Sequence, residues 1–262
     1  MAIHPTVIVD PRAEIGAEVE VLPFCIIEGE TEIGDRCIIG PHAVIRKWTV
    51  LGSDCTLSTG VVLGEAPQDR KYQGEKSFLR VGKENQIREY VTLHRASGEG
   101  QSTVIGDGNM IMAYAHAGHN VRMGDHCQLA NWVQISGHTV IEDYVTVGGM
   151  TGFHQYVTVG RMAMVGAMSR ISRDVPPFSI VEGNPAEVRG LNVIGLERRG
   201  VSAETRAALR QAFRLIFRSE HNMSDALAAV RAQVESSEEV EYLCDFLRRM
   251  SEGAMGRQLG HR

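Results

Sequence analysis

The residues best suited to chemistry in this chain are two histidines three apart, His116 and His119, in "AHAGH" at 115–119. An imidazole exchanges a proton near neutral pH and also ligates metals. Of the histidines that follow within 40 residues, His138 and His154 have Gly137 and Gln155 beside them. An isolated surface histidine is usually inert. Whether these four act together depends on the elements that carry them.

Those elements repeat every six residues. Ile3, Val9, Ile15, Val21, Ile27, Ile33, Ile39, Ile45, Leu51, Leu57 and Leu63 are aliphatic without a miss. The phase resumes at Val81, Ile87 and Leu93, and again from Ile105 through Ile171. Neither a 3.6-residue helix nor an isolated flat strand keeps that phase. It fits short strands joined by tight corners, three hexads to a coil of about 18 residues. Gly follows the aliphatic position at 34, 40, 52, 106, 124, 148, 160 and 166. Such glycines suit corners that need positive φ or close backbone approach. Residues 3–176 then make a prism of about ten coils, roughly 45–50 Å long at a strand spacing of about 4.8 Å.

A step of 18 carries His119 to Gly137 and then to Gln155, so the three should stack on one edge. His116, His138 and His154 flank them. An imidazole there could take a proton from a hydroxyl attacking an acyl carbonyl. The Gly137 N–H could hold the developing oxyanion, since only a residue without Cβ lets substrate that close. A zinc site built from His116, His119 and His138 is the rival chemistry. A coil serving only as a scaffold is the third reading.

Other features narrow the class. Net charge is −5, which gives no reason to expect nucleic acid as a partner. No apolar run approaches the roughly 20 residues that span a bilayer, and the first residues lack a leader pattern. A cytoplasmic location is expected. Cys25, Cys37, Cys55 and Cys127 fall at the small inward position of the hexad, Cys244 lies later in the chain, and free thiols are expected. Two segments break the frame, at 64–80 and 94–104. Long loops on a rigid scaffold commonly carry function. After Pro185 the chain reads as helices, with Ser202 and Ser224 as candidate N-caps and a third helix over 238–252. The expected division is a coil domain, 1–184, and a helical domain, 185–262, that caps the last coils. Arg206, Arg210, Arg214 and Arg218 line one helix face. They form either a solvated stripe or a docking strip for an acidic partner.

Several motifs together resemble the UDP-N-acetylglucosamine acyltransferase family: "PQDRKYQGE" at 67–75, "IREYVTLHRAS" at 87–97, "AHAGH" at 115–119, "ISGH" at 135–138, "GGMTGFHQ" at 148–155 and "GLNVIGLERRG" at 190–200. The resemblance spans nearly the whole chain. It implies a left-handed parallel β-helix of hexapeptide repeats followed by a small α-helical domain, and a homotrimer with active sites between subunits. It implies transfer of a 3-hydroxyacyl chain from acyl carrier protein to the glucosamine 3-position of UDP-N-acetylglucosamine, the first step of lipid A synthesis, without metal or cofactor. His119 would be the general base and Gly137 the oxyanion donor. Asp69 would hold the sugar, with Gln68, His116 and Gln155 nearby, and His138 and His154 would line the cleft. Lys71 and His94 would serve the acyl or phosphate end, and Asn192 and Arg198 the nucleotide. Ala167 would sit at the acyl-chain ruler and suit a medium chain. The arginine stripe would meet acyl carrier protein. Zinc-dependent coil enzymes of carbonic anhydrase type, coil N-acyltransferases with an added uridine-binding domain, and acetyl-CoA-dependent coil enzymes share the repeat but fit these motifs less well. One departure stands out. Asn120 follows His119 where many members have Asp. An amide can orient the imidazole but cannot balance its charge, so a weaker base is expected, and Asn120→Asp is expected not to lower the rate.

Overall fold

The computed structural model describes residues 2–257. The outermost residues of the two expected domains, Met1 and 258–262, lie outside the described part. Short strands, mostly two residues long, stack into three sheets of eleven, nine and eight strands. All pairings but one are parallel, and the usual step is one 18-residue coil, as in Ile8↔Ile26↔Val44. The aliphatic residue of each hexad points inward. Ile39, Leu57, Leu93, Ile111, Ile135 and Val159 are 1% exposed or less. At the N-terminal end Ile3 is 38% exposed, because no coil lies beneath it.

The corners show a division of labour that the sequence left open. The glycines after the aliphatic position serve close approach. A Cβ on Gly34 would meet the Ser53 nitrogen at 2.5 Å, and one on Gly106 the Gly124 carbonyl oxygen at 2.6 Å. Positive φ falls two residues later, mostly on other residue types: Phe24, Arg36, His42, Trp132 and Met150 have φ between 57° and 65°. Each such residue costs roughly 1–2 kcal/mol. Burial of the stacked aliphatic rows offsets this in every coil.

The four coil cysteines are free and buried, as expected. Cys37 donates to the Gly52 carbonyl at 3.1 Å and Cys127 to that of Glu142 at 3.1 Å. Burial pushes the Cys127 thiol up to about 12, so it is a core group and not a nucleophile.

The two interruptions are shorter than expected. Strands run through Val62–Glu65 and Thr92–His94 and resume at Phe78–Val81 and Ser102–Ile105, leaving 66–77 and 95–101 as loops. Both loops leave successive strands of the nine-stranded sheet, and the next strand in that sheet is His116–Ala117. They therefore stack on the corner that carries His119.

Beyond Pro185 the expected helix is at first a strand. Ala186–Leu191 pairs antiparallel with Ser179–Gly183 and covers the last edge of the eleven-stranded sheet. Four helices follow: α1 Val193–Arg198, α2 Ala203–Phe217, α3 Met223–Gln233 and α4 Glu238–Ser251. Ser202 caps α2, as expected, and accepts the Thr205 N–H. Asn222, not Ser224, caps α3 and accepts the Asp225 N–H. An N-x-x-D capping arrangement that starts two residues earlier wins. The helices bury Leu209, Phe213, Leu227, Leu243 and Leu247 around Phe178 of the last coil. Tyr242 donates to Glu142, and the Arg257 guanidinium donates to the Ser172 carbonyl at 2.9 Å. The helical part is thus seated on the last coils.

Candidate active site

The frame brings the expected residues together. Strands at His116–Ala117, Gln134–Ile135 and Gly152–Phe153 are consecutive in one sheet, so His119, Gly137 and Gln155 stack at the same corner. His119, His138, Gln155, Asp69 and Lys71 line one cavity of about 520 Å³, together with Glu75, Ser97, Gly98 and Tyr156. A Cβ built on Gly137 would stand 2.6 Å from Nε2 of His119.

The Gly137 N–H is open, as are those of His119 and Gln155 at the same corner, but of the three only Gly137 is buried. At another corner the equivalent amides are capped from the next coil. Ala17 N–H donates to Asp35 at 2.7 Å, Asp107 N–H to Asp125 at 2.7 Å and Asp125 N–H to Asp143 at 2.8 Å. The residue one coil beyond Gly137 is Gln155, and the Gly137 N–H meets no acceptor among the described residues. A buried amide without a partner is rare and costly. Here it stands beside a base.

His119 is oriented from its other nitrogen. Its Nδ1 lies 2.9 Å from Oδ1 of Asn120. An amide oxygen only accepts, so Nδ1 carries the proton and Nε2 presents a lone pair toward Gly137. The His138 ring meets His119 edge-on at 5.2 Å and stacks on Tyr156 at 4.6 Å. His94 and His116 form a second edge-on pair at 4.9 Å, with Thr92 Oγ1 at 2.8 Å from His116 Nδ1. Burial drives His116 down to about 4 and lowers His94 and His138 as well. These three rings are neutral at pH 7. Asp69 stays ionised, because the Lys71 N–H, and then the Ser97 hydroxyl and His119, hold its carboxyl below the usual range. Among the described residues no three His, Cys, Asp or Glu side chains are placed to hold a metal, so nothing within one chain favours the zinc reading.

Sequence reasoning missed the parts that fix the loops. Arg95, 6% exposed, donates to the Gly64 carbonyl at 2.7 Å and to the Tyr72 hydroxyl at 2.9 Å. Glu75 accepts the Gly98 N–H at 2.8 Å. Both contacts tie one loop to the other. The signal lay in "HRAS", a charged residue where the hexad frame stops.

Other expected residues lie apart from this cavity in the chain. Gln68 is exposed one position before Asp69. His154 Nδ1 lies 3.1 Å from the Gln155 carbonyl oxygen. Asn192 and Arg198 line a separate cavity of about 250 Å³ with Gln128, Tyr144 and Arg199. The Asn192 amide caps α1 through the Gly195 N–H and donates to the Met162 carbonyl at 2.9 Å. Ala167 is exposed after a strand of the eleven-stranded sheet, at a different corner from His119. The arginine stripe meets an acid of the preceding helix. Arg206 lies 3.6 Å from Glu197 and is mostly covered. Arg210, Arg214 and Arg218 rim a groove of about 190 Å³ with Val193, Phe213 and Phe217 among its walls.

Comparison with known proteins matches this arrangement. The family described as Udp N-acetylglucosamine O-acyltransferase, domain 2, matches residues 174–255, and the bacterial transferase hexapeptide family matches 12–47, 30–65 and 102–137. An acyl-[acyl-carrier-protein]--UDP-N-acetylglucosamine O-acyltransferase from Halorhodospira halophila is 46% identical over 97% of this chain and 98% of its own. One of the same name from Synechocystis is 50% identical over 64% of this chain and 61% of its own length. Among solved structures, a UDP-N-acetylglucosamine acyltransferase from Bacteroides fragilis has a TM-score of 0.92 at 37% identity, covering 94% of this chain and 96% of that one. LpxA from Acinetobacter baumannii has a TM-score of 0.90 at 36% identity, with 95% and 97% covered. The coil expected from the repeat and the hand implied by the family resemblance both hold: a left-handed parallel β-helix with a small helical domain after it.

Proposed function

Because the chain belongs to the UDP-N-acetylglucosamine O-acyltransferase family, we propose that it moves a 3-hydroxyacyl chain from acyl carrier protein to the glucosamine 3-position of UDP-N-acetylglucosamine with His119 as its base. The observation that carries this is the pairing of the His119 Nε2 lone pair with the open Gly137 N–H. The acceptor oxygen attacks the thioester carbonyl carbon and gives its proton to Nε2. The carbonyl oxygen takes negative charge and is met by the Gly137 N–H. The C–S bond then breaks, and the proton on His119 leaves with the carrier's sulfur. Asp69, kept ionised and a wall of the same cavity, holds hydroxyls of the sugar. Lys71 stands at the same wall for the acyl or phosphate end. His138 and Gln155 shape the cleft around them, His94 serves the same end as Lys71, and His116 and His154 line the cleft beyond this cavity.

The enzyme works as a homotrimer in the cytoplasm. Along one edge Phe24, Tyr90, Tyr114, Trp132, Met150 and Met168 are 43–73% exposed in a single row, an apolar stripe of the kind that marks an interface. A neighbouring copy on that edge brings Ala167 toward the His119 corner, as the ruler for a medium-length chain, and completes the nucleotide end with Asn192 and Arg198. Arg210, Arg214 and Arg218 receive the acidic carrier protein, with Arg206 at the end of the strip.

The test is an acyl-transfer assay with carrier thioesters of graded length and UDP-N-acetylglucosamine, and with its 3-amino analogue. Transfer that is abolished in His119→Ala and insensitive to chelator supports the reading. Transfer to neither sugar at any length, or full activity in His119→Ala, overturns it.

A further inference from the structure

Asn120 does more than stand in for an acid. Its amide is gripped on both sides by one residue of the second loop. The Ser97 N–H donates to Oδ1 at 3.0 Å, and Nδ2 donates to the Ser97 carbonyl at 3.1 Å. The Asn120 backbone N–H donates to Thr103 Oγ1 at 2.8 Å. This grip sets which end of the amide faces His119. Oδ1 lies toward Nδ1 at 2.9 Å, and Nδ2 faces away, against a carbonyl that only accepts. We infer that Ser97 and Asn120 form a clamp requiring a neutral amide, which holds His119 in the Nδ1–H tautomer and fastens the second loop to the coil. They are positioning residues, since they act through His119 and not on substrate. The inference rests on the reading of His119 as the base.

The clamp also connects the two halves of the site. Ser97 lines the same cavity as Asp69, while its backbone holds Asn120. One residue thus stands beside the sugar-binding carboxylate and holds the group that orients the base. Gly98 follows it and is fixed by Glu75 of the first loop.

An aspartate at this position does not fit the arrangement. One carboxylate oxygen would still accept from Ser97 N–H and His119 Nδ1–H. The other would face the Ser97 carbonyl oxygen, two acceptors about 3 Å apart with no hydrogen between them. That reverses the expectation drawn from sequence alone, in which an acid after His119 does not lower the rate. Protonation of the carboxyl in the Asn120→Asp variant restores the pattern, because its O–H donates where Nδ2 did. The titratable groups around His119 and Ser97 are His116 and His138 on the coils and Asp69, Lys71 and Glu75 on the first loop.

The experiment uses the full chain with ¹⁵N-labelled histidine and no substrate. In the parent protein the neutral His119 ring should show an unprotonated Nε2 and a protonated Nδ1. Asn120→Ala should give a tautomer mixture. Asn120→Asp should lower kcat by about tenfold or more, with a deficit that widens as pH rises and the carboxyl ionises. A mere loosening of the fold would not give that pH dependence. An Nε2–H tautomer in the parent overturns the clamp, as does an Asn120→Asp rate equal to or above the parent's at high pH. The tautomer is read without turnover. It therefore stands or falls separately from the base reading, which His119→Ala decides.

Discussion

The His119 ring occupies the space that a side chain at position 137 would need. Nε2 and Cε1 both lie 2.6 Å from where a Cβ on Gly137 would sit. The glycine is thus required by a contact across one coil, and not by its own backbone angles, which are not left-handed.

That relationship makes Gly137→Ala a sharp test. The added methyl must displace the imidazole or close the approach to the Gly137 N–H. Either outcome removes general-base or oxyanion help, each worth about 10²-fold or more. We expect kcat to fall on that order while the thermal midpoint moves little, as the coil's inward rows are untouched. A Gly137→Ala enzyme with parental kcat would show that neither the ring nor the amide is used in turnover.

Arg95 is the pin between the loops. Its buried guanidinium holds Gly64 and Tyr72 and lies 5.2 Å over the Trp48 ring. Arg95→Met keeps much of the bulk and loses the charge-assisted hydrogen bonds, a cost of about 1.5–3 kcal/mol in stability. The loop carrying Asp69 loosens with it. KM for the sugar nucleotide should rise more than kcat falls. Denaturant titration and steady-state kinetics on the same variant would separate the two effects, and an unchanged KM would count against Asp69 as the sugar's anchor.

The division between what could be read and what could not is physical. A coil repeats one geometry, so arithmetic in steps of 18 placed His119, Gly137 and Gln155 on one edge before any coordinates. It also placed Cys25, Cys37, Cys55 and Cys127 inside. The same arithmetic fails where the frame breaks. From Thr92–His94 to His116–Ala117 the spacing is 24, not 18, and the ties of Arg95, Glu75 and Ser97 run between loops that no period describes. Strand Ala186–Leu191 was hidden because Pro185 looked like the boundary of the helices, while its alternation of covered and exposed residues is a strand's. Left-handed backbone at Phe24 or Trp132 was invisible because nothing in those residue types announces it.

Acid should weaken the fold through the histidine pair behind the base. Burial holds His116 down to about 4, from 6.5 when free. Between those values the unfolded chain binds a proton that the folded chain refuses, so stability rises with pH across that window. Lowering pH from 6.5 toward 4 costs stability, and below about 4 this group adds no further loss. His94, lowered for the same reason, acts in the same direction. His116→Gln should flatten the dependence of the thermal midpoint on pH between 4 and 6.5. An unchanged slope would place the acid sensitivity elsewhere.

The exposed aromatic edge gives the last prediction. Tyr90, Tyr114 and Trp132 stack in three successive coils, at 5.2 and 4.5 Å between ring centres. The 51% exposure of Trp132 leaves a large apolar surface in water. A contact with a second copy would bury it, and aromatic anchors at the centre of an interface dominate its energy. Trp132→Glu sets a charge in that contact while leaving the ladder's backbone alone. Sedimentation should then show smaller species, with circular dichroism unchanged. Acyl transfer should fall with the loss of assembly, since Ala167, at another corner of the prism, and Arg198, on α1, both stand apart from His119 in one chain. Dilution of the parent enzyme should reproduce that fall in specific activity at concentrations where it dissociates. An unaltered sedimentation profile in Trp132→Glu would move the interface to another edge, and a dissociated variant with full activity would place the whole site within one chain.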